Sequence, residues 1–408
     1  MSTNSVRLSE IPKEHVTGMC SPASGLWHFE KYCVTPTRPS SNFFNKSRPS
    51  SNLAVPMVHY IRYLRTPQVG DVSKKGIELS AVVAITTDLG DTFFAQNAVL
   101  LTRVVDATKS GEILALSDVV WNNGSRAVKI RITLPLKLMN RLVTLHVTTK
   151  DSIVAISQCT IPSILDVWSA EFSLRSREKT EPVVERRLPL PGKCFVRQWE
   201  ETGDSIARHI WDASLGCLML LQKCLDTAAT DELPLIRDLL VHDKSRHIRV
   251  LEVGAGCGLV GIALAQLRKC EVVLTDLEDA QDVLQTNIEC ATPIAGSSLT
   301  RQVLGWGLGT ADLANPKFDL VLVSDCIYNP DSSIQLVQTL KETTGHNPDV
   351  LILVAFKRRH DADEVFFEHM ATNGFRVLEQ TTIDLPNIVS DYDAYEPRIN
   401  AFTFVGKR

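Results

Sequence analysis

Three glycines at alternate positions, Gly254, Gly256 and Gly258, sit where chemistry is easiest to imagine. An apolar run, Ile248 to Val253, leads straight into them, and a helical apolar pattern, Leu259 to Leu267, follows at once. Strand, glycine turn and helix form the element that cradles a nucleotide or phosphate in a doubly wound α/β sheet. Glycine permits positive φ there and lets a ligand approach the main chain closely. The register narrows the ligand, because a dinucleotide fingerprint wants its third glycine where this chain has Leu259. Glu252, two residues before the first glycine, is a carboxylate facing the turn. It suits the ammonium of an amino-acid moiety and is ill suited to a pyrophosphate.

Other candidates lie at the ends of apolar runs. CEVVLTD closes on Asp276, 18 residues past Gly258, where a carboxylate can accept both hydroxyls of a ribose. Asp276 can also cap the helix that follows, DAQDVLQTNIE, although its pairing with the glycine loop favours the ribose role. FDLVLVS is nearly uninterrupted apolar sequence, as central parallel strands are, and it ends in Asp325-Cys326-Ile327-Tyr328. Two tryptophans complete the set. Trp211 lies on the amphipathic stretch SIARHIWDASLGCLMLLQKCL and either belongs to the core or closes over a ligand pocket. Trp306, in TRQVLGWG, either packs on the sheet edge or flanks a flat, apolar-faced ring such as adenine.

These residues need a sheet to hold them. The runs at 248–253, 270–276, TRQVL, FDLVLVS and DVLILVAFKRR read as five parallel strands alternating with helices. FRVLEQTTI and INAFTFVGK supply a closing antiparallel pair. The expected fold is α/β, a Rossmann-like seven-stranded domain over residues 194–408. Ahead of it, residues 55–165 carry short β-branched runs separated by turn signals such as Leu89-Gly90-Asp91 and Asn122-Asn123-Gly124. They predict a small β-rich antiparallel sandwich or open barrel without a catalytic constellation of its own. Residues 166–193, which include LRSREKTEPVVERRLPLPGK with its charges and three prolines, read as a linker. Residues 1–54, rich in Ser, Pro and Asn, read as a disordered tail.

A chain of 408 residues has room for two or three domains. Its 44% apolar and 22% charged residues are ordinary for a globular protein, and a net charge of −4 argues against a nucleic-acid-coating role. No window approaches the roughly 18 apolar residues of a membrane span, and the N-terminus has no apolar signal core. Ten cysteines, none in a C-x-x-C pair, read as reduced thiols of a cytosolic or nuclear protein, with Cys257 a space-filler. No Cys/His cluster has metal-ligand spacing, so no metal is expected.

The stretch from about 194 to 408 resembles the class I, seven-β-strand S-adenosylmethionine-dependent methyltransferases. More narrowly it resembles the protein-lysine methyltransferases that modify translation factors and chaperones, of which fungal members carry comparable N-terminal extensions. The residues that carry the resemblance are HIWDAS, LEVGAGCGLVG, TDLE, the GWG turn and the D-x-x-Y of Asp325 to Tyr328. It implies S-adenosylmethionine as cofactor, held by Gly254, Gly256, Asp276, Trp306 and Trp211; with Glu252, Gly258, Leu277 and Asp325 these make up the expected cofactor-binding set. It places Asp325 and Tyr328 beside the incoming lysine of a protein substrate, with a monomer acting on neither nucleic acid nor membrane.

The chemistry follows from general principles. Displacement at a sulfonium methyl gains mostly from proximity and orientation. A lysine nucleophile must be neutral, yet its reference pKa is about 10.4, and a desolvating pocket near positive charge lowers it. Asp325 opposes that shift, so its expected role is to capture and orient the amine while the proton leaves to water. Its alternative is a turn cap ahead of Asn329-Pro330. Tyr328 offers an aromatic wall or a hydroxyl. A small-molecule N-methyltransferase would share every cofactor residue, and a non-catalytic interaction protein would use the β-rich half as its working part. An NAD-dependent oxidoreductase is disfavoured by the glycine register.

Overall fold

In the computed structural model, residues 55–406 are described apart from 57, 110, 202–204, 227–231, 244, 311–312, 314–316, 346, 348 and 389–397. The tail expected at 1–54 lies outside the described residues.

The C-terminal half is built on one seven-stranded sheet. Its strands are β1 (Ile248–Val253), β2 (Cys270–Asp276), β3 (Ser298–Val303), β4 (Leu320–Ser324), β5 (Leu351–Lys357), β6 (Phe375–Ile383) and β7 (Ile399–Gly406). They lie in the order 3-2-1-4-5-7-6. The first five run parallel, and β7 is antiparallel to both of its neighbours. The closing antiparallel pair is as the sequence predicts.

Both faces of this sheet are covered, which is why β4 is almost wholly apolar and β1 and β5 are mostly so. On one face Val250, Val272, Leu322 and Leu353 meet α1 (Asp212–Leu225), α2 (Pro234–Val241), α3 (Leu259–Leu267) and α4 (Gln281–Cys290). On the other, Leu251, Val253, Val321 and Val354 meet α5 (Pro330–Thr344) and α6 (Glu364–Thr372). Side chains alternate between the two layers along each strand, so one residue step decides which layer a side chain joins.

The N-terminal half is a β-sandwich. One sheet holds Val128–Leu134, Gly76–Thr86, His59–Ser73 and Ile164–Leu165. The other runs from Cys194–Glu201 through Val183–Leu190, Val167–Ser169, Leu142–Thr149 and Ala98–Asp106 to Ile113–Trp121. Ile61, Val83 and Ile130 of the first sheet share a core with Leu100, Leu145 and Val184 of the second.

The linker expected at 166–193 is instead part of this sandwich. Two of its charges, Glu185 and Arg186, are buried and paired: Arg186 Nε donates to Glu200 Oε1 at 2.7 Å, and the half-buried Arg187 donates to Glu185 at 2.9 Å. Its prolines sit at strand ends and in the turn Pro191-Gly192-Lys193, where they cost little ladder bonding. The boundary expected near Cys194 falls inside a hairpin, because Val183–Leu190 pairs with Cys194–Glu201 along its whole length. That second arm also packs on the α/β half. Trp199 N donates to Asn287 Oδ1 at 2.6 Å, and Asn287 Nδ2 returns a bond to Trp199 O at 3.0 Å. The described residues accordingly belong to one compact unit.

Candidate functional site

A cavity of about 620 Å³ opens at the carboxyl ends of β1, β2 and β4, within the usual size of a small-ligand site. Gly254, Gly256, Asp276, Leu277, Trp306, Trp211, Asp325 and Tyr328 line it. Five separate stretches of the sequence thus converge on one cavity.

The glycines divide by task. Gly254 has φ +68°, and a Cβ there would lie 2.5 Å from Cys326 Sγ and 3.1 Å from the Trp306 ring. Gly256 has φ +56°, and a Cβ would meet Ala207 O at 3.1 Å. Gly258 does not line the cavity; it caps α3 in a left-handed conformation and faces Leu284 and Leu274. Asp276 clasps the loop, accepting from Gly256 N and from Leu277 N, each at 2.7 Å. An ionised carboxylate has about four lone-pair sites, so two remain for a ligand's hydroxyls. Burial pushes the Asp276 carboxyl up, partly offset by those two backbone donors. The helix α4 begins at Ala280 without a side-chain cap, so capping is not its task.

Glu252 is not brought to the cavity. It is fully buried beneath the loop, where its Oε2 accepts from Gly261 N at 2.8 Å. Its Oε1 has no partner among the described residues. Burial pushes its carboxyl up to about 8, so at neutral pH it holds a proton and carries no charge for a ligand's ammonium. A central parallel strand is buried on both faces, and alternation along it could not reveal which way Glu252 points.

Trp211 stands at the N-cap of α1, its indole Nε1 donating to Ile206 O at 3.0 Å. Trp306 is half-buried in a turn pinned by Gly307 N donating to Thr339 Oγ1 at 2.9 Å. Cys326 is buried, its Sγ 3.4 Å from Val253 O, and burial raises the thiol well above its ordinary value. Asn329, not Asp325, caps α5, accepting from Asp331 N at 3.0 Å. Tyr328 is half-exposed on the opposite lip, with burial pushing its hydroxyl up.

Asp325 sits at the end of β4 with φ +56°, a strained value for a residue bearing a side chain. It does not face the cavity alone. Arg359 grips it bidentately, at 2.5 Å to Oδ1 and 2.8 Å to Oδ2. The same guanidinium reaches Asp88 Oδ2 at 3.0 Å and lies 5.7 Å from the Trp211 ring centroid. Burial alone would weaken the charge on Arg359, but Asp325 and Asp88 more than reverse this. Lys357 lies beside it, donating to Asp88 Oδ1 at 3.1 Å and Asp212 Oδ2 at 2.7 Å. Tyr60 OH donates to Asp212 Oδ1 at 2.8 Å. Burial, then the nearby Asp88 charge, pushes the Asp212 carboxyl up to about 6.

Sequence reasoning missed Tyr60, Asp88, Lys357 and Arg359. The one available signal was LILVAFKRR, in which basic residues end an apolar strand at the face where α/β sites lie. Ile206 and Leu277 line the mouth and are exposed, and Leu308, 86% accessible, stands with Leu277 beside Gly305.

A family profile described as lysine methyltransferase matches residues 193–373. A UPF0665 family protein of Schizosaccharomyces pombe is 29% identical over 323 residues, covering 76% of this chain and 92% of that protein. The protein N-lysine methyltransferase METTL21A of Mus musculus is 31% identical over 174 residues, covering 42% of this chain and 69% of its own. EEF1A lysine methyltransferase 3 of Mus musculus is 31% identical over 129 residues, covering 32% of this chain and 54% of its own.

Proposed function

This chain belongs to the lysine methyltransferase family, and from that premise we propose that the cavity at the strand ends is where a protein lysine meets its methyl donor. The protein is an S-adenosylmethionine-dependent protein-lysine N-methyltransferase. S-adenosylmethionine, when bound, supplies an electrophilic methyl group on a positively charged sulfur. The carrying observation is the clasp of Gly256 N on Asp276 at the floor of the cavity, with Asp325 and Tyr328 on its far side.

In this reading the open backbone at Gly254 and Gly256 takes the donor's close approach, and Asp276 accepts its ribose hydroxyls. Leu277, Trp306 and Trp211 supply apolar surface for its flat ring and close it from water. Glu252 and Gly258 act from behind, setting the loop and the start of α3. Asp325 orients the substrate amine. Arg359 already offsets its charge, so the carboxylate favours the ammonium less than a free one would, and the amine loses its proton to water more readily. Tyr328 supplies the aromatic wall.

The apolar lip of Ile206, Leu277 and Leu308 gives the surrounding protein substrate a surface to lie on. One relative is named for the translation factor EEF1A, and we infer that the substrate here is likewise a translation factor. A cytosolic or nuclear site of action accords with the free state of all eight described cysteines.

The test is calorimetry with S-adenosylmethionine, followed by labelled-donor incubation in a lysate lacking the enzyme. Micromolar binding, about −8 kcal/mol, and label in a translation-factor band are expected. No binding of the donor overturns the assignment of the cavity, and label confined to other proteins overturns the substrate.

A further inference from the structure

The carboxylate at the mouth of the catalytic cavity is aimed by a guanidinium, and that guanidinium is held from the other half of the chain. Arg359 Nη2 donates both to Asp325 Oδ2 at 2.8 Å and to Asp88 Oδ2 at 3.0 Å, across a sequence separation of 271 residues. Its Nε has no partner among the described residues, so these two carboxylates and the Trp211 face fix where it points.

Asp88 is itself held rigidly. It follows the strand Gly76–Thr86 in a turn closed by Gly90 N donating to Thr87 O at 3.1 Å. Its own Oδ1 accepts from Leu89 N at 3.0 Å and from Lys357 Nζ at 3.1 Å. Its carbonyl accepts from Arg62 at 2.9 Å, and the residue is 4% exposed. A long, flexible arginine gains a fixed position from such an anchor. Asp325, whose backbone is strained at φ +56°, receives that arginine on both oxygens, with Oδ2 also accepting from Ala213 N at a longer 3.5 Å.

We propose that Asp88, in the β-sandwich, is a positioning residue for methyl transfer: it holds Arg359 so that Arg359 presents Asp325 to the substrate amine. The sandwich then completes the catalytic pocket rather than merely adjoining it. This rests on the reading of Asp325 as the group that meets the amine.

The test uses full-length enzyme, saturating S-adenosylmethionine and a lysate from cells lacking the enzyme, with initial label incorporation as the rate. Asp88→Asn keeps the shape and removes the charge. Its rate is expected to fall about tenfold or more, since misplacement by a fraction of an ångström is costly to an oriented reaction. Calorimetry on the same sample should still give one cofactor per chain with a dissociation constant within about twofold. A merely structural role would lower rate and binding stoichiometry together, and that parallel loss overturns the proposal.

Asp88→Glu keeps the charge that both buried cations need while displacing the guanidinium by a methylene. It is expected to run several-fold slower than wild type, and a wild-type rate there overturns the proposal even if Asp88→Asn does not fold. Asp325→Asn separates the two readings. If it binds cofactor and turns over normally, the role of Asp325 falls. If it is slow while both Asp88 variants are fast, only the role of Asp88 falls.

Discussion

Replacing Glu252 with glutamine should remove a pH-dependent weakness from the sheet without changing its shape. Glu252 is fully buried, and its carboxyl is raised from 4.5 to about 8, chiefly by lost hydration. The bond from Gly261 N pulls the other way and only partly offsets this. Between those two values the folded protein holds a proton that the unfolded chain has released. Stability therefore falls as pH rises through this window, by about 1.4 kcal/mol per unit. From pH 5.5 to 7.5 the loss is about 3 kcal/mol, a large part of the 5–15 kcal/mol that holds a typical domain folded. Glutamine keeps the acceptor for Gly261 N and carries no ionisable proton, so Glu252→Gln should lack this component. Urea unfolding of both proteins at pH 5.5, 6.5 and 7.5 reads the difference, which should widen steadily in favour of the variant. Parallel stability curves would refute the buried, protonated state of Glu252. Cofactor affinity should change by no more than about threefold, because the side chain lies outside the cavity. Loss of binding by a folded Glu252→Gln enzyme would restore the direct contact that the sequence suggested.

Three further outcomes are expected. Gly254→Ala combines a positive φ with a Cβ 2.5 Å from Cys326 Sγ; calorimetry should show lost cofactor binding, and unfolding a penalty of about 2–4 kcal/mol. Arg186→Gln strands the buried Glu200 carboxylate and should cost about 3–5 kcal/mol in urea unfolding at neutral pH. In wild type burial pushes the Glu200 carboxyl up, but Arg186, together with Arg62, His209 and the Ile210 N–H, more than offsets this and holds it below its ordinary value, so their contribution is present above that value and fades as pH falls through the lower folded one. Leu308→Asp, on the exposed lip, should slow labelling of a protein substrate about tenfold while leaving cofactor affinity and melting temperature unchanged.

How far the sequence could be read depended on whether a feature is local. The strand Ile248–Val253, the glycine turn and the strand-end position of Asp276 are set by neighbours a few residues away, and all appear where the pattern put them. Asp325 and Tyr328 reach the cavity for the same reason, since a parallel strand delivers its carboxyl end to one edge of the sheet. The orientation of Glu252 was not readable, because a strand covered on both faces has no polar side to set the phase. The supposed linker was misread because charge and proline suggest exposure. Its Glu185 and Arg186 are buried all the same, Arg186 answered by Glu200 14 residues on and Glu185 by Arg197 12 residues on and Arg187 two residues on. Asp88 had no local signal at all, and Arg359 had only the basic end of LILVAFKRR. A carboxylate in a hairpin turn and an arginine after a strand gain their meaning only from each other.

The long span of the bridge from Asp88 to Lys357 and Arg359 also bears on how the molecule is made. These partners are separated by 269 and 271 residues, and Val55 pairs with Ile388 across a still wider interval. A ribosome adding about 5–20 residues per second delivers the sandwich well before the strand that carries its counter-charges. During that interval Asp88 and Tyr60 lack the partners that the finished protein gives them, and the surface they occupy stays open to solvent. Closure of so long a loop adds little to the equilibrium cost, which grows only with the logarithm of length, but it slows the final step. Refolding should therefore be slow and most prone to aggregation just before the two halves meet. A chaperone that shields the nascent sandwich would act in that window.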